Sequence, residues 1–212
     1  MDRSVSNAEL GALLFACLAV IAWSAVDPAD RATWWLEALP VLIAIPLMWF
    51  TLDRFPLTPL TYRLIFVHCV ILLVGAHYTY AQVPLGFWFQ DLLDLQRNHY
   101  DRLGHIAQGF IPAMLAREIL LRTSPLRPGR TGGWLFFLVA CVCLAFSAFY
   151  EMIEWWVAVI ADEEASAFLA TQGDIWDTQW DMFLALCGAI AAQLLFSPAQ
   201  DRMLHQMGMP EE

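Results

Sequence analysis

Six ionisable side chains stand in, or at the ends of, segments that are otherwise hydrocarbon: Asp101, His105, Glu151, Glu154, Asp177 and Asp181. An unpaired charge in such a setting costs at least ~2.5–3.5 kcal/mol even on lenient insertion scales, so these residues are first suspects for function. Asp101 and His105 are four apart and share one helix face. Glu151 and Glu154 fall on neighbouring turns, and Asp174, Asp177 and Asp181 form a single stripe if the chain is helical from Asp174. Carboxylate oxygens suit Mg²⁺, Mn²⁺ or Ca²⁺, and the imidazole admits Zn²⁺ or Fe²⁺, so the set could hold a divalent metal. A carboxylate and an imidazole could equally act as general acid and base. The structural alternative is that Arg97 and Arg102 neutralise Asp101 or Asp174 while Glu154, Asp174 and Asp177 are hydrated at a membrane interface.

The elements that must position these groups are long and apolar. Of 212 residues, 59% are hydrophobic, against ~45–50% for a soluble domain. The expectation is an all-α, polytopic integral membrane protein: one transmembrane domain, a bundle of six transmembrane helices at about Leu10–Val26, Trp34–Leu52, Leu60–Tyr80, Leu103–Leu121, Gly133–Ala161 and Thr178–Phe196. The fifth segment, roughly 43 Å long at 1.5 Å per residue, must tilt or project beyond the bilayer. The first lacks a basic start and a clear cleavage site, and reads as a retained helix. The stretch 85–95, with Phe87, Trp88, Phe89, Leu92 and Leu93 among Gln90, Asp91 and Asp94, reads as a short helix lying in the interface.

Orientation rests on arginine alone, because lysine is absent. With both termini cytoplasmic, Arg3, Arg54, Arg63, Arg117, Arg122, Arg127, Arg130 and Arg202 lie inside, against Arg31, Arg97 and Arg102 outside. In that topology most tryptophans, among them Trp155, Trp156, Trp176 and Trp180, gather at the outer boundary. The basic stretch from Arg117 to Arg130, with Pro125 and Pro128, reads as a cytoplasmic loop, and the tail from Pro198 to Glu212 as solvated. His68 and His77 read as structural, with His77 near the outer boundary. Arg117 and Glu118 can snorkel or pair. All five cysteines fall in apolar segments and read as packing. Gly188, among Ala185, Ala189 and Ala192, reads as a close helix contact. A formal net charge of -10 argues against nucleic-acid binding.

The strings NHYDRLGHIAQGF, FSAFYEMIEWW and GDIWDTQWDMFLALCGA, between Asn98 and Phe196, resemble the bacterial inner-membrane family typified by YjdF. That resemblance extends along the whole chain and implies a multi-pass location in the inner membrane, with no assigned activity. More distantly, the pattern is similar to VanZ-like membrane proteins: Asp101 and His105 match the first element, Glu151 the second, and Asp181 with Gly188 the third. Those proteins are associated with glycopeptide resistance at the cell envelope.

Three functional classes follow. The polar site on the last three helices can bind a membrane lipid, an envelope-derived small-molecule ligand or a divalent metal without catalysis. It can be a metal-assisted enzyme acting on a lipid headgroup or lipid-linked intermediate, with Asp101, His105, Glu151 and Asp181 as catalytic groups or ligands and Trp155, Trp156 and Trp180 holding the apolar part. Or it can carry protons or metal ions. Almost wholly apolar inner halves of the same helices argue against the last. Oligomeric state is not legible.

Overall fold

Polar side chains start these helices and apolar residues carry them. In the computed structural model, which describes residues 5–126, 132–161 and 171–209, Ser6 caps α1 (Asn7–Ala25) by accepting the Glu9 amide at 3.1 Å. Asp30 caps α2 (Arg31–Thr51) through the Thr33 amide at 2.6 Å, and Thr58, followed by Pro59, opens α3 (Pro59–Tyr78). A 3₁₀ turn at Tyr80–Gln82 leads into α4 (Pro84–Leu93), the expected interfacial segment, which ends where Asp94 turns left-handed at φ 51°. Then come α5 (Tyr100–Thr123), α6 (Gly132–Ala161) and α7 (Asp177–Gln206). Among the described residues every regular element is helical.

Five helices, α1, α2, α3, α6 and α7, are long and apolar enough to cross a membrane. The sequence reading counts six spans; α5 is long enough at 24 residues, but Gly104, His105, Gln108, Arg117 and Glu118 interrupt its apolar run. Its place in the bundle explains that composition. Packed against α3, α6 and α7, it is the central helix, and polar groups at membrane depth are tolerated when they face protein.

Between α5 and α7 the backbones nearly touch. A Cβ on Gly109 would run into the Ala185 carbonyl, and one on Gly188 would run into the carbonyl of Ile106. Where lipid tails are as apolar as the helix faces, association depends on such close packing of small residues. On the other side α1 and α2 pack on α3 through Cys17, Trp34, Ala38, Val41, Leu73 and Ala76. Here the Trp34 indole donates to Ser24 Oγ at 2.9 Å, and that hydroxyl donates to the Leu73 carbonyl at 2.7 Å.

Two expectations are corrected at the end of the bundle where α5 finishes. Helix continues through Arg117 to Thr123, so the first part of the stretch read as loop is α5; Arg127 and Arg130, like Arg3, lie outside the described residues. The tail is not wholly solvated as far as it is described: α7 passes through Pro198 and ends at Gln206, with Gln200, Leu204 and Met207 at most 1% exposed. Their spacing keeps them on one face, and that face is covered.

Candidate functional site

The site begins with the way α5 is started. Asn98 accepts the Tyr100 amide at 3.0 Å and donates to the Val83 carbonyl at 3.0 Å, tying the first turn of α5 to the start of α4. Asn98 also exchanges hydrogen bonds with Gln172, so the segment before α7 is held to the same point. Arg97 completes the clamp: it donates to the Thr171 carbonyl at 2.8 Å and to Asp177 at 2.7 Å, and reaches Asp174 at 3.4 Å. Arg102 adds Asp174 at 2.9 Å and lies over the Trp180 ring.

These arginines thus answer Asp174 and Asp177, not Asp101. Asp177, which the sequence stripe groups with Asp181, is drawn to Arg97 at the rim. One turn deeper the balance changes. His105 Nε2 lies 3.6 Å from Asp101 Oδ1 and 3.8 Å from Asp181 Oδ2, and His105 Nδ1 lies 3.9 Å from Glu151 Oε1. Glu154, half-buried, brings a carboxylate to the same ring. Asp101, His105, Glu151 and Asp181 are each at most 7% exposed. The groups expected from α5, α6 and α7 do converge on one imidazole.

Donor atoms of Asp101, His105 and Asp181 lie within 4.8 Å of one another, as do those of His105, Glu151 and Glu154. Glu151 Oε1 and Asp181 Oδ1 are buried without a hydrogen-bond partner, as is the hydroxyl of Ser147, one turn along α6 from Glu151. Buried carboxylate oxygens are ordinarily satisfied, so orphans of this kind ask for a missing partner. Among the described residues no arginine pairs with Asp101, Glu151, Glu154 or Asp181. Nor does His99 supply a charge at the rim: burial, then Arg102 and Arg97, hold its imidazole below its usual range. A set of acids around one histidine, with no arginine among them, has the donor chemistry that could hold a cation.

Gln108, Glu37, Tyr150 and Ser147 escaped the sequence reading. Gln108 Oε1 meets His105 Nδ1 at 3.0 Å and orients the ring. Glu37 of α2, 4% exposed, accepts from the Tyr150 hydroxyl at 3.2 Å and is also reached by Tyr80. The signal for Glu37 was present, since an acid within the first two turns of an apolar segment is as anomalous as Asp181. Ser147 and Gln108 carry no such signal. Of the two histidines expected to be structural, His77 faces the Ser24 carbonyl at 3.1 Å and stacks on Trp23, away from the site, whereas half-buried His68 has a buried, unpartnered Nε2.

A second polar cluster lies at the opposite end of α5 and differs in one respect. Glu118, wholly buried, accepts from the Thr58 amide at 2.9 Å, the hydroxyls of Thr58 and Thr61 at 2.8 Å each, and Arg122 at 3.0 Å. Arg117 is held by Asp201 at 2.7 Å and by Gln200 at 3.0 Å. Every carboxylate oxygen here has a partner.

Comparison with known proteins agrees with the membrane architecture. Residues 10–202 match the family described as "Predicted membrane protein (DUF2238)". The Inner membrane protein YjdF of Escherichia coli (strain K12) is 46% identical over 209 residues, covering 99% of each chain. No solved structure matches. The expected likeness to a YjdF-typified family therefore holds, while the VanZ-like pattern rests on its few motif residues alone.

Proposed function

The chain belongs to this family of predicted inner-membrane proteins, and from that premise we propose that it holds a divalent cation in an outward-facing centre built from Asp101, His105, Glu151 and Asp181. In this reading α5 is a sixth span; its 24 residues reach roughly 36 Å, enough for a ~30 Å core. Both termini are cytoplasmic. Among the described arginines, Arg54, Arg63, Arg117, Arg122 and Arg202 then fall inside, against Arg31, Arg97 and Arg102 outside, in the sense of the positive-inside rule.

The observation that carries the proposal is a single imidazole faced by three carboxylate oxygens at 3.6–3.9 Å, two of those carboxylates holding an orphaned oxygen, with the nearby guanidiniums engaged elsewhere. A cation at 2.0–2.6 Å from its ligands would satisfy these atoms and relieve their repulsion. Exposed Trp155, Trp156, Trp176 and Trp180 ring the same end, which favours lipid headgroups as the molecules the centre meets. The satisfied Glu118 cluster and fully buried Ala113, Met114, Ala189 and Ala192 below it argue against a conducting path.

Metal content of full-length protein purified without chelator tests the reading. Stoichiometric divalent metal is expected in the wild type, with a large loss in both Asp181→Asn and His105→Ala. Metal-free wild-type protein that also fails to take up Mn²⁺, Zn²⁺ or Mg²⁺ would refute it.

A further inference from the structure

The donors around His105 do not form one ring. They form two lobes, one on each nitrogen of the imidazole. On the Nε2 side stand Asp101 and Asp181; on the Nδ1 side stands Glu151, and Glu154 groups with His105 and Glu151 rather than with the two aspartates. Each lobe contains one buried carboxylate oxygen without a partner, Asp181 Oδ1 in the first and Glu151 Oε1 in the second, on side chains only 3% and 5% exposed. A single cation bound on one side leaves the other orphan where it is.

Charge gives the same count. Asp101, Asp181, Glu151 and Glu154 carry four negative charges when ionised, and lysine is absent from the chain. Arg97 and Arg102 are engaged with Asp174 and Asp177. Counted over these four ligands alone, with Glu37 set aside because it is held by the Tyr150 hydroxyl, one divalent ion would leave two charges uncompensated among side chains largely closed to water, where unpaired charge is costly. Two divalent ions neutralise the set. Resting on the cation-binding reading above, we propose that the centre is dinuclear, with one divalent cation in each lobe.

The lobes differ in chemistry. In the tautomer with its proton on Nδ1, which Gln108 Oε1 is placed to accept at 3.0 Å, the ring's free lone pair is on Nε2 and belongs to the first lobe. His105 Nε2 lies 3.6 Å from Asp101 Oδ1 and 3.8 Å from Asp181 Oδ2, and one ligand atom of each residue falls within 4.8 Å of the other two, separations that a divalent ion between them can bridge. That lobe is a nitrogen-and-oxygen site suited to Mn²⁺, Fe²⁺ or Zn²⁺. The second lobe offers oxygens from Glu151 and Glu154, with the unpartnered Ser147 hydroxyl a turn away, and suits Mg²⁺ or Mn²⁺.

Mn²⁺ is the probe both lobes accept. Full-length protein in detergent is stripped with chelator and titrated with Mn²⁺, and bound metal per chain is counted by equilibrium dialysis with elemental analysis. Two ions per chain are expected in the wild type. One is expected in Glu151→Gln/Glu154→Gln, which keeps the first lobe, and one in Asp101→Asn/Asp181→Asn, which keeps the second. Should a double variant not fold, Glu154→Gln alone is to weaken one of the two ions by more than the ~10–100-fold that loss of an outer contact brings, leaving the other unchanged. One ion in the wild type, lost in both double variants, overturns the dinuclear assignment and leaves the cation-binding reading standing. No ion in the wild type overturns both.

Discussion

Glu118→Ala tests the claim that satisfied and unsatisfied polar clusters have different tasks. Glu118 is wholly buried and accepts from the Thr58 amide, the Thr58 and Thr61 hydroxyls and Arg122. Truncation leaves a backbone N–H and a guanidinium facing a cavity. At ~0.6 kcal/mol per bond, a value typical inside membranes, loss of these four contacts amounts to about 2–3 kcal/mol. Leaving Arg122 as a buried unpaired charge raises the cost toward ~3–5 kcal/mol, tempered because Arg122 keeps the Pro56 carbonyl at 2.6 Å and the Phe55 ring. We expect a loss of about 3–4 kcal/mol, or roughly 6–16 °C in Tm for a chain of this size. Thermal unfolding of the detergent-solubilised protein measures it, and metal content of the folded fraction should not change. A Tm shift under about 2 °C would mean that water or a neighbour replaces Glu118, and the assignment of this cluster to stability would fall.

Two further substitutions probe how the site is positioned. Gly109→Val puts a side chain into the Ala185 carbonyl, forcing α5 and α7 apart; overpacking of this kind costs typically ~1–3 kcal/mol. Gly109 stands one turn from His105 and Ala185 one turn from Asp181, so Tm and bound metal should fall together, and wild-type metal content in the variant would contradict the geometry. Arg97→Ala removes the bonds to Thr171, Asp174 and Asp177 and leaves Asp177 buried without a counter-charge. A loss of about 2–3 kcal/mol is expected in thermal unfolding, with Arg97→Lys intermediate because an ammonium cannot span the same fork. Equal stability of Arg97→Ala and wild type would show that the clamp is water-exchanged.

How much of this was legible before the structure depended on whether a residue contradicted its surroundings. Asp101, His105, Glu151 and Asp181 did so, and helical spacing sufficed to aim them at a common end. Glu37 also contradicted its segment but has no partner at helical spacing, so only the approach of α2 to α6 through Tyr150 reveals it. Pro198 was misleading in the opposite direction. It reads as a stop, yet the helix continues because Gln200, Leu204 and Met207 have a covered surface on which to pack, which no local signal reports. Asp177 could not be separated from Asp181 by spacing. Arg97, eighty positions earlier, makes the separation.

The contrast between the two ends of α5 carries the functional argument. Both ends hold buried acids on the same central helix, so burial alone cannot distinguish them. At Glu118 the chain supplies two threonines and an arginine, and the charge is answered from within. At Glu151 and Asp181 the available arginines turn outward to Asp174 and Asp177, and one oxygen of each acid is left without a partner. A protein needing these acids only to join helices could have answered them as it answers Glu118. Carboxylates kept buried without an arginine are what the proposed cation centre requires, and metal titration of the Asp101, Glu151, Glu154 and Asp181 variants tests that directly.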